Sequence, residues 1–120
     1  MFITFEGCEG VGKSTQIKFL QEYLESTKQD ALFLREPGGT AISEKIRGII
    51  LDMNNKELAP ETEALLYASS RAQLLREKII PALKKNQLVF CDRYIDSSVA
   101  YQAYARNLGV DFVNKVNDFA

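Results

Sequence analysis

The sequence predicts an α/β fold, a parallel sheet with helices on both faces, and three observations predict it. Three short apolar runs of strand length recur along the 120 residues, an amphipathic segment separates the first two, and a glycine-rich turn lies at the first junction. Continuous apolar runs bounded by polar or glycine-rich sequence suit strands buried on both faces, as in parallel sheets. Strand, helix and strand in that order make a βαβ unit, whose crossover is almost always right-handed.

The first strand is read at Ile3 to Phe5, followed by the turn Gly7-Cys8-Glu9-Gly10-Val11-Gly12. Lys13 to Thr27 follows as a helix, with Ile17, Leu20 and Leu24 at helical spacing. Ala31 to Leu34 is the second strand. Ser43 to Asp52 is a second helix, with Ile46, Ile49 and Ile50 on one side. Pro60-Glu61-Thr62-Glu63 has the form of a helix start, proline early and carboxylates in the first turn. That helix is expected to run to about Asn86, with Pro81 breaking or kinking it. Leu88 to Cys91 is the third strand, and Ser98 to Arg106 and Asp111 to Phe119 are two further helices. Three strands are few for a doubly wound sheet. The expectation is therefore an N-terminal part, residues 1-120, of a longer single domain whose later strands are absent here.

Composition removes several chemistries. Apolar residues are 46% and charged residues 26%, the profile of a globular domain, and 15 basic against 16 acidic residues argue against a nucleic-acid-binding surface. With no histidine, neither a Ser-His-Asp system nor a His-ligated metal can exist. Two isolated cysteines, Cys8 and Cys91, fit a reducing compartment and cannot build a zinc site alone. No run of 18 apolar residues occurs, and an acid at Glu6 comes too early for a secretory leader. A cytoplasmic protein with no membrane partner is expected.

Gly7-Cys8-Glu9-Gly10-Val11-Gly12-Lys13-Ser14 fits G-x-x-x-x-G-K-[ST] at every specified position. It lies between a strand and a helix, as its chemistry needs. Glycines let the chain curl until successive N–H groups face one anion, and the helix start adds unpaired N–H groups and a positive dipole end. Lys13 supplies a charge for the β- and γ-phosphates, and the Ser14 hydroxyl a ligand for Mg²⁺. A mere capping turn would not require Lys13 between Gly12 and Ser14. The fold is thus expected to be of the P-loop NTPase type. Cys8, Glu9, Gly10 and Val11 include no cation, so further positive charge must come from elsewhere.

Asp92 ends the third strand, where an acid can hold the Mg²⁺ shell, and Arg93 follows at the crevice outside the strand ends. The planar fork of Arg93 suits a second phosphate. Lys13, Asp92 and Arg93 are therefore the candidate catalytic residues.

Val89-Phe90-Cys91-Asp92-Arg93-Tyr94-Ile95-Asp96-Ser97-Ser98-Val99-Ala100-Tyr101-Gln102 resembles the thymidylate kinase signature. Phe5 to Thr15 resembles that family's phosphate loop, which carries an acid at the position of Glu9. Arg35-Glu36-Pro37-Gly38-Gly39-Thr40 matches the block after strand 2 in bacterial members, and Ser70-Arg71-Ala72 the acceptor-site helix. The similarity covers essentially the whole chain.

The resemblance implies phosphorylation of dTMP to dTDP by ATP with Mg²⁺, in a homodimer. It places Arg71 and Arg93 on the dTMP phosphate and thymine, Tyr67 in the base pocket, Ser98, Tyr101 and Gln102 around base and sugar, and Arg47 near the phosphates. Glu36 joins the substrate-binding set. Glu9 is placed near the acceptor's deoxyribose hydroxyl, which resolves the conflict of a carboxylate in a phosphate-binding loop. Gly7 to Thr15, with Ser14 and Thr15 opening the helix, would hold ATP. Glu63, Tyr67 and Arg71 at i, i+4, i+8 lie on roughly one helix face, in agreement. The resemblance also implies a lid carrying arginines and a strand order of 2-3-1-4-5. With lid and last strands absent, 120 residues alone are expected to bind nucleotide weakly and catalyse poorly. Two alternatives stand beside this reading. One is another P-loop nucleotide or small-molecule kinase. The other is a nucleotide-binding module, GTPase-like or inactive through truncation, although no N/T-K-x-D guanine motif occurs. Cys8 and Cys91 are expected as small apolar fillers that oxidation could bridge.

Overall fold

A computed structural model describes residues 1–120. The elements run β1 (Phe2–Phe5), α1 (Lys13–Ser26), β2 (Ala31–Arg35), α2 (Ala41–Leu51), α3 (Pro60–Leu74), a π-helical turn (Leu75–Ile79), α4 (Ile80–Lys84), β3 (Leu88–Asp92), α5 (Ile95–Ser98), a second π-helical segment (Val99–Ala105) and α6 (Val110–Phe119). All three expected strands form, each one residue longer than read.

The sheet is parallel, in the order β1-β3-β2. β3 is central, with Val89 opposite Phe2 and Leu32, and Asp92 opposite Phe5 and Arg35. This register brings the carboxyl ends of all three strands level, so Glu6, Glu36 and Arg93 leave the sheet side by side. Two backbone bonds continue the ladder past the strand ends, Glu36 N–H to the Asp92 carbonyl and Arg93 N–H to the Phe5 carbonyl, both at 2.9 Å.

Side chains of β3 alternate between two cores, as strand geometry requires. Val89 and Cys91 are fully buried against Leu74, Ile79 and Ala82 from the α3–α4 run. On the opposite face Phe90 stacks on Phe33, and α1 packs against β3. Cys91 is thus the apolar filler expected of it. Cys8 is not: it is exposed in the loop after β1. Burial pushes the Cys91 thiol up, with the Glu36 carboxylate adding to the effect, so it stays protonated and is a poor partner for oxidation.

Pro81 does not end its helix. The backbone stays helical from Pro60 to Lys84, and the wider π turn at Leu75–Ile79 ends two residues before the proline. A π turn relaxes the i to i−4 spacing, which relieves both the missing N–H and the ring's clash with the preceding turn. The helix read from Ser98 begins earlier, at Ile95, and its second part is also π-helical.

The segment from Glu36 to Thr40 is held by buried polar groups rather than by a side-chain core. Thr40 caps α2, accepting from Ser43 N–H at 3.0 Å, while the fully buried Ser43 hydroxyl donates to the Ser70 carbonyl at 2.9 Å. Gly38 N–H donates to the Ser70 hydroxyl at 3.2 Å. Gly39 has φ +89°, and a Cβ there would lie 2.8 Å from Leu74 Cδ1, so only glycine allows this approach to α3. The result is a rigid strap from β2 to α2 beside Arg71. No helix is long and apolar enough to cross a membrane.

Candidate active site

The loop after β1 turns through Gly10 at φ +77° and Gly12 at φ +93°, left-handed conformations that favour glycine. Gly12 is the N-cap of α1, no side chain caps the helix, and its first turn carries no acid. The opening N–H groups at Lys13, Ser14 and Thr15 are therefore free of side-chain competition, which suits an anion. The Lys13 ammonium folds back over the loop and donates to the Gly7 and Cys8 carbonyls at 2.9 and 2.8 Å. Ser14 and Thr15 are exposed at the helix start.

Beside the loop a cleft of about 350 Å³ opens at the carboxyl ends of the strands. Ligand pockets typically measure about 300–1,000 Å³, so it is of a size for a small molecule. The loop contributes Glu9 to its wall. The strap contributes Glu36, α2 contributes Arg47, and α3 contributes Tyr67 and Arg71. From β3 onward come Asp92, Arg93, Ser98, Tyr101 and Gln102. The expected residues outside the loop thus converge with Glu9 on one space, from five separate elements. Arg47 donates to the Pro37 carbonyl at 2.8 Å, so it is tethered to the strap and not a free surface charge.

The two arginines are held in different ways. Arg71 is only 2% exposed. Its Nε donates to Glu36 Oε2 at 2.8 Å, Nη1 to Asn117 Oδ1, and Nη2 to the Ser98 hydroxyl at 2.9 Å and the Tyr94 carbonyl at 3.2 Å. The guanidinium also lies 5.1 Å from the centre of the Tyr94 ring. Four of its five N–H directions are spent on the protein. Arg93 is nearly the reverse. Its backbone sits at φ +70°, uncommon for a non-glycine residue and of the kind that clusters at functional sites. Nη1 reaches the Ser97 hydroxyl at 3.4 Å, the Tyr101 ring lies 5.3 Å away, and the remaining donors have no protein partner.

Carboxylates complete the electrostatics. Burial pushes the Glu36 carboxyl up to about 7, against the opposing pull of Arg71, and Glu6 adds to the rise. Glu6 Oε1, Glu36 Oε1 and Asp92 Oδ1 are each buried without a hydrogen-bond partner. No three acidic or cysteine side chains converge closely enough to cage a metal by themselves. Burial and the Glu63 charge raise the Tyr67 hydroxyl above its ordinary range, so it remains a neutral donor.

Several contributors escape a reading of the sequence. Ser97 donates to Glu6 Oε2 at 2.6 Å, linking the end of β1 to Arg93. Ser97 lies inside the Asp92–Gln102 block and could have been found there; Glu6 carries no signal beyond its place before Gly7. Arg35 and Tyr94 also line the cleft, and Asn117 reaches Arg71 from α6.

A three-layered βαβ arrangement, with a glycine-rich loop between β1 and a helix opening on Lys13-Ser14, defines a P-loop NTPase fold. The thymidylate kinase family model matches residues 5–120. The chain is 57% identical over 119 residues to the thymidylate kinase of Thermoanaerobacter sp. (strain X514), covering 99% of this chain and 58% of that protein. It is 52% identical over 120 residues to that of Bacillus pumilus (strain SAFR-032), covering 100% and 57%. A crystal structure of thymidylate kinase from Ehrlichia chaffeensis superposes with a TM-score of 0.90 at 36% identity, over 99% of this chain and 67% of that one. The chain belongs to the thymidylate kinase family. It spans a little under three fifths of the length of these curated relatives.

Proposed function

We propose that the protein transfers the γ-phosphoryl group of ATP to dTMP, giving dTDP and ADP. One observation carries the reading: the strand ends set Arg93, with most of its donors uncommitted, on the same cleft as Glu9 of the phosphate loop. A cation beside the loop is what a second, receiving phosphate needs. The loop itself offers only Lys13, whose contacts with two carbonyls would yield to the stronger charge of a phosphate.

In the transfer, an acceptor phosphate oxygen bonds to the γ-phosphorus while the bond to the β,γ-bridging oxygen breaks. That acceptor oxygen is already ionised, so no general base is required. Lys13, the α1 N–H groups and Arg93 align two phosphates and offset the charge that develops between them. Mg²⁺ fits the residues present, since Asp92 Oδ1 is a buried, unpartnered oxygen and Ser14 offers an exposed hydroxyl near the helix start. Such ions usually take one or two protein oxygens and complete their shell with phosphate and water. When bound, the ion neutralises phosphate charge. Arg71, Ser98 and Gln102, all buried, would meet the thymine, with Tyr67 and Tyr101 on the cleft wall beside it. Two unpaired cysteines fit a reducing, cytoplasmic setting.

Glu9 should face the acceptor's sugar rather than ATP. Glu9→Ala is expected to weaken dTMP binding about tenfold, the value of a hydrogen bond to a charged group, and to leave Mg-ATP affinity within twofold. Calorimetry with each nucleotide, and with AMP and dUMP as competing acceptors, checks both this and the reading as a whole. Equal loss of the two affinities would remove Glu9 from the acceptor side. Tighter binding of AMP than of dTMP would favour a different nucleotide kinase.

A homodimer is also proposed, through α3 and α6. Between them runs an apolar groove lined by Leu65, Phe112, Val116 and Phe119, with Phe119 95% exposed. A surface of this kind marks an interaction site. Sedimentation of the intact protein should show a dimer that Phe119→Lys shifts toward monomer; a monomer before substitution excludes it.

A further inference from the structure

Helix α6 holds no residue that its sequence marks for the site, yet Asn117 on it is buried and its carboxamide is committed at both ends. Nδ2 donates to the Val113 carbonyl one turn earlier at 2.9 Å, and Oδ1 accepts from Arg71 Nη1. We propose that Asn117 is a positioning residue that fixes the guanidinium of Arg71, so that α6 is part of the acceptor site. The inference rests on the reading of the cleft as the dTMP site.

The remaining partners of Arg71 leave one corner unheld. Glu36 takes Nε, and Ser98 and the Tyr94 carbonyl take Nη2. A planar fork held at Nε and Nη2 can still tilt about that edge. Asn117 supplies the protein acceptor at Nη1. The carboxamide cannot simply turn over, because its N–H₂ group would then face the N–H of Arg71 while the Val113 carbonyl lost its extra donor. Asparagine is a poor helix former and a costly group to bury, and a leucine of similar volume would fill the space. The charge of Arg71 is what the carboxamide answers. It does so from an element far from α3 in sequence, the two partners being 46 residues apart.

Asn117→Leu in the intact protein tests this. The dissociation constant for dTMP is expected to rise about tenfold, as for loss of a hydrogen bond to a charged group, while that for Mg-ATP stays within twofold. In ¹⁵N spectra the two Nη signals of Arg71, distinct while held by different partners, should broaden toward coalescence in the variant. If Asn117→Leu does not fold, Asn117→Ala carries the same expectation. Unchanged dTMP affinity, or equal loss for both nucleotides with sharp Nη signals, would overturn the positioning role and leave the cleft assignment standing. Failure of the parent protein to bind dTMP would instead overturn the cleft assignment, and the inference with it.

Discussion

Lys13→Ala is expected to reduce dTDP formation by at least ~10²–10³-fold, the usual cost of losing a preorganised donor at developing charge. The effect should be this large because the loop's variable positions, Cys8, Glu9, Gly10 and Val11, contribute no cation. Lys13 lies over the loop and not on the wall of the cleft, so dTMP affinity should stay within twofold while Mg-ATP affinity falls. Lys13→Arg is not expected to rescue turnover, since a planar fork cannot replace a compact ammonium folded against two carbonyls. A coupled assay of the intact protein, with calorimetry for each nucleotide, separates these outcomes. Turnover within tenfold of the parent would end the assignment of Lys13 to the transferring phosphate.

Arg71→Met should be the most damaging change to stability, and its cost should depend on pH. Breaking a buried ion pair by removing one partner costs about 3–5 kcal/mol, because the other charge is left buried and alone. Here the survivor is Glu36, whose carboxyl stands at about 7 in the folded chain against an ordinary 4.5. A group whose value is raised on folding lends stability that is complete below pH 4.5 and is lost as pH climbs through 7. Without Arg71 the force that lowers this value disappears, so the loss should extend to higher pH. Urea unfolding should therefore find Arg71→Met far weaker than the parent at pH 8 and closer to it at pH 5. Adding Glu36→Gln removes the stranded charge and should recover part of the loss at pH 8 while flattening the pH dependence. Equal destabilisation at pH 5 and pH 8 would show that Glu36 is not the source.

Much of the site could be read from short stretches because its parts are local. The phosphate loop needs only a strand, glycines at set intervals and the start of a helix, all within a dozen residues. Asp92 and Arg93 were legible for the same reason, since the end of an apolar run marks the end of a strand. Pro81 marked an irregularity without ending the helix, because a π turn that closes two residues before it absorbs the misfit. Cys8 misled because adjacency to a strand does not mean burial. Asn117 gave no signal, and Glu6 none beyond its place before Gly7. Each reaches the site through a distant hydrogen-bond partner, Arg71 in the first case and Ser97 in the second, at separations of 46 and 91 residues.

By itself the sequence determined which residues are strand, loop and helix, and which side chains could handle phosphate. Patterning and backbone propensity act over a few residues, so a linear reading captures them. The resemblance already implied β3 between β1 and β2, as observed; only the tertiary structure decided the register that makes Glu6, Glu36 and Arg93 emerge as neighbours. It alone decided that Arg71 is spent on Glu36, Ser98, Tyr94 and Asn117 while Arg93 keeps its donors. Two arginines of identical chemistry differ because burial and partners are properties of the packed whole.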